Sequence, residues 1–325
     1  MVENINRFVD ADTVSALHLF PIKSCHEATA YGEPITELEV GPTGFRVGPA
    51  IDRGWVIADE DDLFVSQRGW DESQSRKHRD DRMLATVAVD IQHDHLAVSA
   101  PEHGAVVIPF EEPEGRKGSI RIFGPELPVT EEGEEVNTFF TDLLGRLVRV
   151  TRADLMRPRF LPDKYTRQGA ANRSAGADGR PISLASQASL DYIHDLADIP
   201  HGILPLTSFR ANIDIEGEVF GPFGEDKLRY VRVGEMGAHV VKALSRCPIP
   251  NIDQNTGDDS QRLSTKLLRP RMGWALGDDT AQRPEQFFAQ SLNHRYIPGF
   301  RHIVKIGDPV IAEATGESNV VLKSS

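Results

Sequence analysis

The chain has 325 residues, 39% hydrophobic and 26% charged, the composition of a water-soluble globular protein long enough for two domains. Its 36 basic and 49 acidic residues leave a formal charge of −13, which argues against nucleic acid as a partner. No run approaches the roughly 20 apolar residues that cross a bilayer, and the polar, acidic start MVENINRFVDADT is unlike a secretory signal, so the expectation is a cytoplasmic protein with no membrane partner.

Short alternating runs come first: ALHLFPI, TELEVG, GWVIAD, LFVSQ, LATVAVDIQ, HLAVSA, AVVIPF and SIRIFG, between residues 16 and 124. Separated by Gly, Pro, Asp and Asn, they predict a small antiparallel sheet or barrel, with turns at DEDDL (59–63) and QHDH (92–95). TEEGEEVNTFFTDLLGR predicts a helix. Its Val136, Phe139, Phe140, Leu143 and Leu144 recur at helical spacing, acids crowd the start, and Gly145 stands ready to end it. A strand-like LVRVT follows at 147–151.

Residues 152–181 then read as a long connection holding six arginines, the natural place for a domain boundary. Beyond it come a strand at ISLA, a helix starting at Ser186 or Gln187, and strands at FRANIDIEG, LRYVRVG and AHVVKAL. A short helical piece near STKLLRPR precedes the closing strands of FRHIVKIGDPVIAEA. The pattern is a second barrel with helices packed outside, and the fold class expected is α+β, predominantly β.

Several chemistries lack their motifs. There is no GxGxxG between a strand and a helix, no GxxxxGK[ST], no HExxH, no CxxC and no GxSxG. The two cysteines, Cys25 and Cys247, are expected to be reduced thiols. Arg246 immediately precedes Cys247, and a neighbouring cation favours thiolate. A thiol enzyme with Cys247 as nucleophile and His239, His294 or His302 as base stays open on the residues alone.

Three further stretches gather donors. FPIKSC carries Lys23 and Ser24, AIDRGW carries Arg53, and SFRAN carries Arg210 and Asn212, which share a face if that segment is extended. With Ser245 and Arg246 of SRC, these are donors suited to an anionic, heteroatom-rich ligand. Periodicity does not bring them together.

In order, FPIKSC, IDRGW, FRANIDIEG, the ED of GEDKL, SRCPIPNIDQNTG and VKIGDPV resemble the MOSC-domain proteins with an N-terminal MOSC β-barrel domain, over about residues 14 to 313. The likeness is closest in type to the mitochondrial amidoxime reducing components and their bacterial relatives. It implies an N-terminal MOSC β-barrel-like domain over 13–151, a MOSC β-barrel domain with peripheral helices over 152–315 and a flexible tail over 316–325. It further implies a molybdenum cofactor (Mo-molybdopterin), with Cys247 as metal ligand and catalytic residue. Lys23, Ser24, Arg53, Arg210, Asn212, Ser245 and Arg246 would hold the pterin and its phosphate. Arg180 stands where some relatives carry a small hydroxyl residue, so a compensating pterin contact is expected of it. Ala211 and Gln254 stand where the family usually has proline, and Cys25 is expected to pack.

The function implied is an oxidoreductase reducing small N-hydroxylated or N-oxide substrates. The alternative is a cofactor carrier or sulfur-transfer module without turnover. Two cysteines cannot hold an iron–sulfur cluster, and no flavin or nicotinamide fingerprint is present. Electrons are therefore expected from a separate donor protein of the ferredoxin, flavodoxin or cytochrome type, with the arginine-rich segment 152–180 as its docking patch.

Overall fold

The computed structural model describes residues 12–71, 76–77, 79–162, 170–276 and 285–320. Strands dominate. The largest sheet, a half-barrel, has seven strands in the spatial order Thr13–Leu17, Ile213–Glu216, Ile182–Ser186, Gln286–His294, Met236–Arg246, Leu228–Val233 and Val310–Ala314. Neighbours run antiparallel except Ile182–Ser186 and Ile213–Glu216, which are parallel and joined through the helix Gln187–Ala197, as a parallel pair requires a crossover.

Three four-stranded sheets build most of the N-terminal half. In one, Trp55–Ala58 pairs with Arg149–Ala153, which pairs with Leu127–Glu131. In another, Ile303–Lys305 from near the C-terminus pairs with Glu37–Gly41. The first strand, Thr13–Leu17, does the converse and pairs with Ile213–Glu216 in the large sheet. Each half thus completes a sheet of the other. One hydrophobic core follows from this, running from Val14, Trp55 and Phe140 to Ile213, Val231 and Leu292.

The helix expected in TEEGEEVNTFFTDLLGR spans Glu134–Leu144, buries the five apolar residues of its stripe, and ends at Gly145 with φ of 61°. That left-handed position suits glycine because no Cβ meets the following carbonyl. Other expectations need correction. LFVSQ forms no strand; Leu63 and Phe64 make only isolated bridges, to Arg121 and Ala58. Over the described part of 152–181, Arg159–Phe160 pairs with Arg173–Ser174. Arg159 is 2% exposed, its guanidinium donating to the carbonyls of Phe123, Pro125 and Ala177. An arginine there is a buried strut rather than linker charge. Residues 163–169 and 321–325 of the expected loop and tail lie outside the described residues. Among the described residues no helix is long and apolar enough to cross a membrane.

Candidate functional site

One cavity of about 210 Å³ is lined by Lys23, Ser24, Arg53, Arg180, Arg210, Asn212, Ser245, Arg246 and Cys247, every site residue expected from the sequence. The nine residues come from five chain segments, and backbone geometry aims three of them. Ser24, Arg53 and Arg210 have φ of 73°, 52° and 54°, a region non-glycine residues enter only when their surroundings hold them there.

The holding contacts are specific. Lys23 N donates to Trp55 O at 2.8 Å, and Arg53 N donates to Phe20 O at 2.7 Å, so the FPIKSC and AIDRGW segments are stitched side by side. Asp52 accepts from Phe20 N at 2.9 Å and pairs with the Arg53 guanidinium. Arg53 Nη2 donates to Arg210 O at 3.1 Å, tying in the third segment. The Phe20 ring lies 5.0 Å from the Arg53 guanidinium and 4.1 Å from that of Arg210, a flat surface for two cations.

SFRAN is not extended, contrary to the premise for placing Arg210 and Asn212 on one face. Leu206–Phe209 is a 3-10 turn, and Arg210 caps it by donating its backbone N–H to Thr207 O at 2.8 Å. Arg210 Nη1 donates to Gln254 Oε1 at 3.1 Å. Because arginine only donates, the Gln254 amide must turn its NH₂ away, and that group donates to Gln67 Oε1 at 3.0 Å. Gln67 in turn donates to Ser24 O at 2.9 Å. Asn212 is fully buried and braces the wall, accepting from Ser183 N and Oγ at 3.2 Å each.

The strand Met236–Arg246 runs further than the expected AHVVKAL (238–244) and delivers Ser245 and Arg246 to the rim, with half-buried Cys247 at its end. Arg246 donates to Phe209 O, while its buried Nε has no partner. Arg180 lines the cavity but spends its guanidinium on Asn172 Oδ1 at 2.5 Å and Pro162 O at 3.0 Å. Lys23 pairs with Asp178 and lies 5.0 Å from the Phe64 ring. Sequence reasoning missed Asp178, Asp52 and Phe20 as parts of the site, although Asp52 and Phe20 sit inside the quoted motifs.

Charge is crowded here. Burial, and then the positive charge of Arg53, pulls the Arg210 guanidinium down to about 10. Lys23 and Arg246 are lowered too, by burial first, with Arg53 repelling each and Asp178 only partly compensating Lys23. Cys25 is buried, and burial pushes its thiol up despite Arg210 nearby. Both cysteines are free thiols. No described histidine lines the cavity: His294 is buried against Gly41 O, His302 faces Glu235 O, and His239 meets the Tyr230 ring edge-to-face. The thiol-enzyme alternative thus lacks each base assigned to it.

Residues 11–147 match the MOSC N-terminal beta barrel domain, and residues 171–311 match the MOSC domain. The chain is 28% identical over 250 residues to mitochondrial amidoxime reducing component 2 of Rattus norvegicus, across 75% of this chain and 68% of that one. It is 25% identical over 302 residues to mitochondrial amidoxime-reducing component 1 of Xenopus laevis, across 91% and 81%. To molybdenum cofactor sulfurase of Danio rerio it is 24% identical over 283 residues, 80% of this chain but 31% of that protein. A solution structure of a Bordetella bronchiseptica protein aligns at 16% identity over 36% of this chain and 88% of its own, with a TM-score of 0.26. With both domains matched in order over most of its length, the chain belongs to the MOSC-domain proteins that carry an N-terminal MOSC β-barrel domain.

Proposed function

We propose that this protein is a molybdenum-cofactor oxidoreductase that reduces small N-hydroxylated or N-oxide compounds with electrons from a separate donor protein. The observation that carries the reading is the single cavity shared by Lys23, Arg53, Arg210, Arg246 and Cys247. Relatives named amidoxime reducing components support the reaction class. Free thiols at both cysteines agree with a reducing compartment such as the cytoplasm.

The residues present fit a phosphate-tailed pterin that carries a soft metal. Four cations face two close carboxylates, Asp52 and Asp178, so the cradle has positive charge to spare. The partnerless Nε of Arg246 is a buried donor awaiting an acceptor. Cys247 would ligate the metal through its thiolate, the soft ligand such a site calls for. Lys23, Arg53, Arg210 and Arg246 would hold the anionic tail by charge-assisted hydrogen bonds, helped by Ser24 and Ser245. Asn212 and Arg180, with side chains committed to protein groups, shape the walls instead. When bound, the cofactor supplies the two-electron chemistry that breaks the N–O bond, two protons completing the water released. The chain's own part is to bind and orient. Asp178 is a brace for Lys23 and no proton donor: the Lys23 ammonium beside it holds its carboxyl below the usual range.

A carrier or sulfur-transfer role is the second reading, favoured by the similarity to a molybdenum cofactor sulfurase. Protein made in a cofactor-synthesising host should contain stoichiometric molybdenum and reduce an N-hydroxylated compound with a chemical reductant. Cys247→Ala should lose that activity with its thermal midpoint preserved, whereas Cys25→Ala should keep it. Metal-free protein from such a host would refute the oxidoreductase. Loaded protein without turnover would leave the carrier.

A further inference from the structure

Arg210 borders two cavities. The second, of about 620 Å³, is within the range of small-molecule sites. Ile203, Pro205 and Leu263 give it apolar walls, and the carboxylate of Glu27 lines it beside the loop that follows Cys247.

Glu27 is held by an uncommon arrangement. His18 Nδ1 is hydrogen-bonded to Glu27 Oε2, and His18 Nε2 lies 3.0 Å from Asp214 Oδ2. A carboxylate at each ring nitrogen requires both nitrogens to donate, so the imidazole is a cation. His18 and Asp214 are 7% and 4% exposed, whereas the Glu27 side chain is 32% exposed. The buried pair therefore presents a fixed carboxylate with lone pairs left over. Its ordering is completed before any ligand arrives, which lowers the cost of binding.

The rest of the cavity agrees in sign. Against Arg210 and the His26 ring stand three acidic residues, Glu27, Asp253 and Asp258. Arg210 itself is stacked on Phe20 and bonded to Gln254. A fixed carboxylate among apolar walls matches a planar cation with two N–H donors on an apolar body.

We propose that this cavity binds an amidinium-type organic cation and that Glu27 is its specificity-determining residue. The identity of the cation rests on the reductase reading. An amidoxime that takes up two electrons and three protons gives water and an amidinium ion, so the cation is the product of the neighbouring site. Binding itself needs no turnover, so failure of this proposal and failure of the reductase reading are separately visible.

Isothermal titration of the full chain tests it with benzamidinium, which should bind saturably. Neutral benzamide, and benzyltrimethylammonium with charge but no N–H donor, should each bind at least about tenfold more weakly, as should benzamidinium to Glu27→Gln. Because that variant also disturbs His18, a second one is needed. Ile203→Trp, at an exposed position, fills the cavity without touching the buried pair and should also remove binding. No saturable binding of benzamidinium overturns the proposal. So does equal affinity for either control compound, or full affinity in folded Glu27→Gln or Ile203→Trp.

Discussion

At His18 two forces oppose each other. Burial favours the neutral ring, but hydrogen bonds and charge from Asp214 and Glu27 outweigh it and raise the imidazole from 6.5 to about 10. His294 shows the outcome without carboxylates: burial lowers it to about 4, and the hydrogen bond to Gly41 O recovers only part. A raised pKa binds the proton more tightly in the folded state than in the unfolded one. The stability from His18 is therefore fully present below pH 6.5 and is lost as pH climbs towards 10. The thermal midpoint of the wild type should fall across that window, and His18→Gln should flatten the fall while lowering the midpoint below it. A pH profile of melting by circular dichroism checks this; parallel curves would remove His18 from the account.

Single elements show what the sequence could and could not disclose. The helix Glu134–Leu144 was legible because its apolar stripe is local, and Phe140 at its centre is fully buried in the main core. Phe140→Ala should cost about 3–5 kcal/mol in chemical denaturation, the loss of an aromatic side chain plus the cavity it leaves. SFRAN was misread because nothing local announces an arginine with left-handed backbone. Phe20, Gln254 and Arg53 hold Arg210 from three distant parts of the chain. The donors and Cys247 stood out by residue type, but their convergence, and the place of Arg180 among them, came from family resemblance, since strand alternation says which residues share a face and not which strand ends meet. The pairing of His18 with Asp214 spans 196 positions and left no periodic trace.

For the molecule as a whole, the proposed reduction requires a source of electrons. The two cysteines of this sequence are too few for a four-thiolate cluster. Several arginines expected to form a docking patch over 152–180 are engaged internally: Arg152 with Glu132, Arg157 with Asp154, and Arg159 with backbone carbonyls. Cofactor-loaded protein should not turn over an N-hydroxylated substrate with NADH or NADPH as sole reductant, and should do so once a redox protein and its reductase are added. Sustained turnover on the nicotinamide alone would refute the separate donor. The strand exchange between the halves has a different consequence, in time. Thr13–Leu17 is made early, but its partner Ile213–Glu216 emerges roughly 200 residues later, some 10–40 s at ordinary synthesis rates of about 5–20 residues per second. Glu37–Gly41 waits longer still, for Ile303–Lys305. The N-terminal half must therefore leave the ribosome with open sheet edges, and Lys23 can meet Arg246 and Cys247 only once about three quarters of the chain has been made. Insertion of the proposed cofactor would therefore have to wait for the strand end at Arg246 and Cys247, and the half-made chain carries its unpaired strands until then.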